Sequence, residues 1–231
     1  MPQDRTMTHP LLPLRSTRTA WTTALCLAAA VVMAGCSSLP SPPARALVYD
    51  FGPGLSQVPS PPVRAGRAPL ALADLDAPGL VEGSNDVLYR LAYADAQQVR
   101  SYTLARWSQP PAQLVQQALR DALAERRAVL PARDAVVQAR RQGRLPLVLR
   151  AELDEFSQVF ESEQRSVALV RMRATLVEPT STGELLRGQR LFVVQRPAPT
   201  PDAAGGTRAL AEATAQVVAQ IATWVDETMP D

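Results

Sequence analysis

The chemistry of this chain starts at one cysteine. Met33-Ala34-Gly35-Cys36 closes an apolar run and opens a Ser/Pro-rich one. Small side chains at Ala34 and Gly35 let an extended backbone enter a signal peptidase site. Cys36, directly after them, offers a thiol for acylation. The pattern matches a bacterial lipobox, with Met33 where leucine is usual. Cleavage between Gly35 and Cys36 would make Cys36 the first residue of the mature chain, carrying a diacylglyceryl group and a further acyl chain such as palmitate. The alternative is an ordinary signal peptide whose cleavage motif happens to precede a cysteine; position, flanks and motif together favour the lipid.

The other reactive side chains are few. Cys26 lies in the apolar part of the leader, and the single histidine, His9, in the polar part before it. Mature residues 36–231 therefore have no cysteine beyond Cys36 for a disulfide, a metal or a nucleophile. They have no histidine and no lysine, so the commonest general base, the commonest metal ligand and the Schiff-base amine are missing. No Walker A loop, Gly-x-Gly-x-x-Gly or Gly-x-Ser-x-Gly is present, and a Ser-His-Asp triad cannot be assembled. Carboxylates remain: Glu152, Asp154, Glu155, Glu161 and Glu163 form an acidic run. A paired-carboxylate hydrolase is conceivable there, but nothing near the run supplies a nucleophile or a metal. The expectation is a protein with no catalytic residue, metal or cofactor.

Charge excludes a further class. All 24 basic residues are arginine; three of them (Arg5, Arg15, Arg18) lie in the leader, as does one of the 22 acidic residues, Asp4. The mature chain is thus neutral, and the basic isoelectric point of the precursor comes from its leader. Neutrality gives no support for phosphate binding by counterion release, so nucleic acid is not an expected partner.

Positioning these groups takes three segments. Residues 1–35 form the signal peptide, whose apolar stretch Ala20–Met33 is shorter than the roughly 20 residues a membrane span needs. Residues 36–45 are a Pro/Ser-rich tether, favouring polyproline II and spacing the domain from the bilayer. Residues 46–231 are one α/β domain, a mixed, largely antiparallel sheet with two main packed helices. Short strands are expected at 46–51, 70–75, 87–93 and 99–105, the last two as a hairpin with Val87, Tyr89, Leu91 and Tyr93 on one face. Residues 53–69 hold five prolines and two glycines and read as a surface loop or spacer.

After Trp107, Ser108 is expected to cap a helix running to about Arg127, with Leu114, Val115, Ala118, Leu119, Ala122 and Leu123 as its apolar stripe. Residues 131–145 read as an Arg-rich loop or short helix. Three long strands follow, at 147–160, 167–177 and 185–195, as an antiparallel meander whose acidic first member would pair with Arg165, Arg171, Arg173, Arg187 and Arg190 on the later two. A Pro/Gly turn leads to the last helix, Thr207 to Thr228, with Leu210, Ala213, Val217, Ile221 and Trp224 as its buried stripe. Tyr89, Leu91, Trp107, Leu149, Leu153, Val217, Ile221 and Trp224 are the expected core markers.

Residues 46–228 resemble the ABC-type transport auxiliary lipoprotein family. The resemblance is carried by Tyr49-Asp50-Phe51, Tyr89-Arg90-Leu91, Tyr102, Arg106-Trp107-Ser108 with Pro110-Pro111, the 114–123 helix, and Ile221-Ala222-Thr223-Trp224-Val225. It implies a fold similar to the N-terminal domain of TolB and no catalytic residues. It implies a partner too: a periplasmic mammalian-cell-entry (MCE) domain protein, working with an ABC ATPase and permease that move phospholipids or other hydrophobic molecules. The expected place is the periplasmic face of the outer membrane, since Ser37 rather than aspartate follows Cys36. A self-sufficient lipid carrier is the competing reading, and homo-oligomerisation is left open.

Overall fold

The computed structural model describes residues 44–52, 67–132 and 145–229. Gly35 and Cys36 lie outside these, as do most of the 53–69 loop and of the 131–145 segment. Beyond Ala44, all described residues belong to one unit, 45–231.

A single long strand organises the sheet. In chain order the elements are β1 (Leu47–Tyr49), β2 (Leu70–Leu72), β3 (Asp86–Leu91), α1 (Ala92–Asp95), β4 (Ala96–Trp107), α2 (Pro111–Ala124), β5 (Val129–Pro131), β6 (Leu147–Ser162), β7 (Arg165–Thr180), β8 (Gly183–Pro197) and α3 (Ala203–Thr228). One edge of β6 pairs antiparallel with β7 along its length, from Val148↔Val177 to Ser162↔Arg165. Its other edge is shared. The start pairs parallel with β2 (Leu70↔Leu147) and the end pairs parallel with β3 (Tyr89↔Gln158). Between them Asp76 fills the gap: its N–H donates to Ala151 O (3.1 Å) and its carbonyl accepts from Leu153 N–H (2.7 Å). β5 lies beyond β2, β4 and β1 lie beyond β3, and β8 lies beyond β7, giving a mixed eight-stranded sheet.

The expected meander is present as β6, β7 and β8, and the expected hairpin as β3 and β4. On β6, Leu149, Ala151 and Leu153 are buried, as their alternation predicts. A register shift between Leu153 and Glu155 then inserts one residue, so Phe156 and Phe160 take over the buried face. Such a bulge changes the phase of alternation without breaking the strand. β2 is buried at all three residues because strands flank it on both sides and parallel strands are covered on both faces.

The main helices pack on the face of the sheet carrying Leu149, Val170, Met172 and Phe192. Together they form one core with the expected stripe Leu210, Ala213, Val217, Ile221 and Trp224 of α3 and with Leu114, Val115, Leu119 and Leu123 of α2. Trp107, Leu149, Leu153, Val217, Ile221 and Trp224 are buried. Tyr89 and Leu91 are only half-buried, and Tyr93 is exposed. The reason is that β3 ends at Leu91, where the chain turns through the one-turn helix α1 into β4.

Three local expectations need correction. Ser108 does not cap α2: the N-cap is Pro110 and no side chain caps it. Ser108 stands two residues too early, and its hydroxyl donates to the Asp50 carboxylate instead. Pro131, the first residue of the segment expected as a loop or short helix, instead closes the short strand β5, which pairs parallel with β2. α3 begins at Ala203, four residues before Thr207.

That early start depends on Asp202 and two glycines. Asp202 Oδ1 accepts from Gly205 N–H (2.8 Å) and from the Thr200 hydroxyl (2.7 Å). These bonds, led by the Gly205 amide, hold the carboxyl below its usual range. A Cβ on Gly206 would sit 2.0 Å from Oε1 of Gln158, whose side chain is fully buried. Gln158 cannot swing away freely, because it accepts from the Tyr102 hydroxyl (2.8 Å) and donates to Ser166 Oγ (2.7 Å). Gly206→Ala is therefore expected to destabilise the domain by about 1–3 kcal/mol, the usual range for overpacking. Urea unfolding followed by circular dichroism measures it; a midpoint equal to the wild type would show that the helix start can shift.

Candidate interaction surface

Surface hollows, ion pairs and exposed apolar rows are where this domain could act. One hollow, about 780 Å³, lies between the 75–84 loop and the start of α2, with Leu80, Val81 and Pro110 among its walls and carboxylates at Asp76, Glu82 and Glu152. A second, about 540 Å³, runs between β8 and α3. The third, about 300 Å³, lies beside β1 and is lined by Leu47, Tyr49, Tyr102, Leu104 and Ala203 among others. All three open to solvent, and buried apolar side chains of the sheet and the two main helices pack together as one core.

The acidic run is spent mainly on arginines. Arg173 on β7 faces both Glu152 and Asp154 at 3.6 Å, and Arg150 pairs with Glu184 at 2.6 Å. Glu155 finds Arg90 on β3, at 2.9 and 3.3 Å, rather than an arginine of β7. Arg187 turns to Glu178 across the β7–β8 hairpin. Glu161, Glu163, Arg165, Arg171 and Arg190 form no ion pair among the described residues. Arg190 instead lies 5.2 Å from the Phe192 ring centroid. No group of three or more His, Cys, Asp or Glu could hold a metal ion among the described residues.

Two polar clusters escaped the sequence reading. Tyr102, Gln158 and Ser166 form a chain of hydrogen bonds under the start of α3. Burial pushes the Tyr102 phenol above its usual range, with Tyr89 and Asp202 adding to the shift. At the other end of α3, Asp226 gathers Arg127 (2.6 Å), Arg67 (2.8 Å) and Arg126 (2.9 Å). Arg127 is 1% exposed. Burial opposes ionisation of Asp226, but hydrogen bonds from Arg127, Arg126 and Arg67 outweigh it and hold the carboxyl below its usual range. Sequence spacing carried no signal for either cluster, since Tyr102 lies 56 residues from Gln158 and Arg127 lies 99 from Asp226.

Exposed apolar side chains mark two edges of the sheet. Leu47 (62%) and Val48 (67%) stand on β1, and Leu191 (51%) and Val193 (49%) on β8. A sequence signal for β8 did exist. Leu191-Phe192-Val193-Val194 is apolar on both faces, the pattern of a strand covered on both sides. Only Phe192 and Val194 are covered here. Among the described residues no helix is long and apolar enough to cross a membrane.

The family profile described as ABC-type transport auxiliary lipoprotein component matches residues 53–222. A Xanthomonas campestris protein of the DUF330 family has a crystal structure similar to this chain at a TM-score of 0.57 and 20% identity, covering 74% of this chain and 90% of its own. A second crystal structure, of an uncharacterized protein, is similar at a TM-score of 0.53 and 14% identity, covering 79% of this chain and 99% of its own. No curated protein matches the sequence. At these identities the two structures speak to the fold alone, a single α/β domain on an open mixed sheet.

Proposed function

We propose the role of this chain from its kinship: it belongs to the ABC-type transport auxiliary lipoprotein component family. It works as an accessory subunit of an ABC-type transporter, on the periplasmic side of a membrane to which Cys36 tethers it. The finer reading is that it docks an MCE-domain protein at the outer membrane, helping to keep a protected path for phospholipid or another hydrophobic molecule. The observation that carries the docking reading is the pair of exposed apolar edge strands, beside a continuous apolar core that joins the sheet to both main helices. A self-sufficient lipid carrier would need an enclosed apolar cavity large enough for an acyl chain. The absence of histidine and lysine from residues 36–231 supports a binding role over a catalytic one.

Co-purification tests it. The lipidated chain, drawn from detergent-solubilised envelopes, is expected to bring down the MCE-domain protein, and its deletion to reproduce the permeability defect of deleting that protein. Recovery of no transporter subunit, with permeability unchanged, would sink this role.

The anchor has its own test. Each buried methylene contributes about 0.8 kcal/mol to membrane binding, and one chain alone binds only marginally, so two or three chains are needed. Cys36→Ser is expected to leave the protein uncleaved or to release it from the membrane fraction, without fatty-acid label. Retention of radiolabelled palmitate in that variant would refute acylation at Cys36.

A further inference from the structure

We infer that the free edge of β8 between Gln189 and Arg196 takes an extended segment of a partner protein as an added strand. That segment is apolar on one face and carries a carboxylate on the other. The inference rests on the transporter-subunit reading and deepens it by naming where a partner binds and with what chemistry.

The edge is open and bounded. β8 pairs with β7 and with no other strand among the described residues. Its pairing is regular from Thr175↔Gln189 to Ala168↔Arg196. At one end the register skips Arg187, between Leu176↔Gly188 and Val177↔Leu186, which bends the strand. At the other end stands Pro197, which has no N–H to donate. Edge strands are usually guarded against pairing by proline, bulges or short length. Here the proline and the bulge stand at the limits of an eight-residue stretch that itself contains neither Pro nor Gly.

Side chains on both faces suit an added strand. On the open face of the sheet, Leu191 and Val193 are about half exposed, an apolar row that a neighbouring strand would extend and cover. On the helix face, the 540 Å³ groove runs beside the strand, with the edge-to-face pair Phe192–Trp224 (5.9 Å) in its wall. The Arg190 guanidinium lies over Phe192 with no carboxylate partner among the described residues. Glu227 also lines the groove and forms no ion pair with Arg190. Alternate residues of an incoming strand would enter this groove, where a carboxylate meets Arg190. Main-chain hydrogen bonds supply affinity and such pockets supply specificity.

Charge argues against a second copy of β8 as the occupant. Arg190 and Arg196 are the charges of the stretch, and Arg196 meets only Glu212, at 3.8 Å. Two such edges paired with each other would crowd four arginines with no carboxylate between the strands.

Photo-crosslinking of the full-length lipidated protein in its own cells tests the inference. A benzophenone side chain replaces Gln189 or Leu191, with exposed Asp121 on α2 as the control position. The expected product joins β8 to an extended apolar and acidic stretch of a transporter subunit, identified by mass spectrometry. Arg190→Glu is expected to lower its yield about tenfold, as a lost interfacial charge pair does. Changing the captured carboxylate to arginine should restore the yield, which a merely misfolded variant could not show. The double variant Leu191→Lys, Val193→Lys should also lose the product while keeping the wild-type melting temperature. Transporter crosslinks from Asp121 but not from β8 would overturn the inference and leave the transporter reading standing. So would crosslinks joining β8 to another copy of this chain. Absence of transporter subunits from every position and from co-purification would sink both.

Discussion

Asp226→Ala is expected to destabilise the domain by about 3–5 kcal/mol, the usual loss when a buried ion pair is broken from one side. Against a total stability of about 5–15 kcal/mol, that is a large fraction. The variant leaves the Arg127 guanidinium buried, with Ala68 O at 3.3 Å and Met229 Sδ at 3.4 Å as its remaining partners. Arg127→Met should cost much less. It removes the buried charge, fits a long apolar side chain, and leaves Asp226 with Arg67 and Arg126. The Asp226 side chain also keeps 18% of its surface in water. Urea unfolding of both variants decides the matter. A greater loss from Arg127→Met than from Asp226→Ala would mean that the attraction, not the stranded charge, dominates.

The same carboxylate gives a pH dependence. Its pKa in the folded state lies below the ordinary value, so the stabilisation is complete above the unfolded pKa of about 3.9. It is lost as pH falls through the lowered folded value. Wild-type stability should therefore drop below about pH 4 more steeply than that of Asp226→Ala.

Trp107→Ala is expected to cost about 3–5 kcal/mol, the range for truncating a buried aromatic. Trp107 is 1% exposed and forms a cluster of three rings with Phe51, met edge-to-face, and Phe156, met at a tilt, each 5.6 Å away. It also closes β4 against β1 through the Tyr49↔Trp107 register. Losing it should loosen β1, the strand that follows the tether, so amides 47–49 should exchange hydrogen faster. Trp107→Phe should be far milder. The indole Nε1 is buried without a hydrogen-bond partner, and burying such a donor costs about 1–3 kcal/mol. Phenylalanine removes that donor while keeping a ring against Phe51 and Phe156. If Trp107→Phe were as damaging as Trp107→Ala, Nε1 would have to be paired in solution.

Periodicity made much of the fold legible. The 3.6-residue stripe of α3 and the alternation of β6, β7 and β8 are properties of neighbouring residues, and each side chain's face follows from its own turn or pleat. Burial then only had to choose the apolar face. The composition of residues 36–231 was equally direct, since a side chain that is missing cannot be supplied by folding.

Tertiary structure decided what local pattern could not carry. Gly205 and Gly206 read as a turn, yet they begin α3, because a Cβ there would strike Thr200 and Gln158. The strand continues through the phase change at Asp154 because its register with β7 takes up the extra residue as a bulge. Asp226 meets Arg127 from 99 residues away. Leu191 and Val193 fall on the expected third strand of the meander, but only the sheet order leaves that strand at an edge. Apart from Gly205 against Thr200, the deciding contacts join residues distant along the chain. Their energy depends on positions that the whole packed domain sets, and no spacing within a single element encodes them.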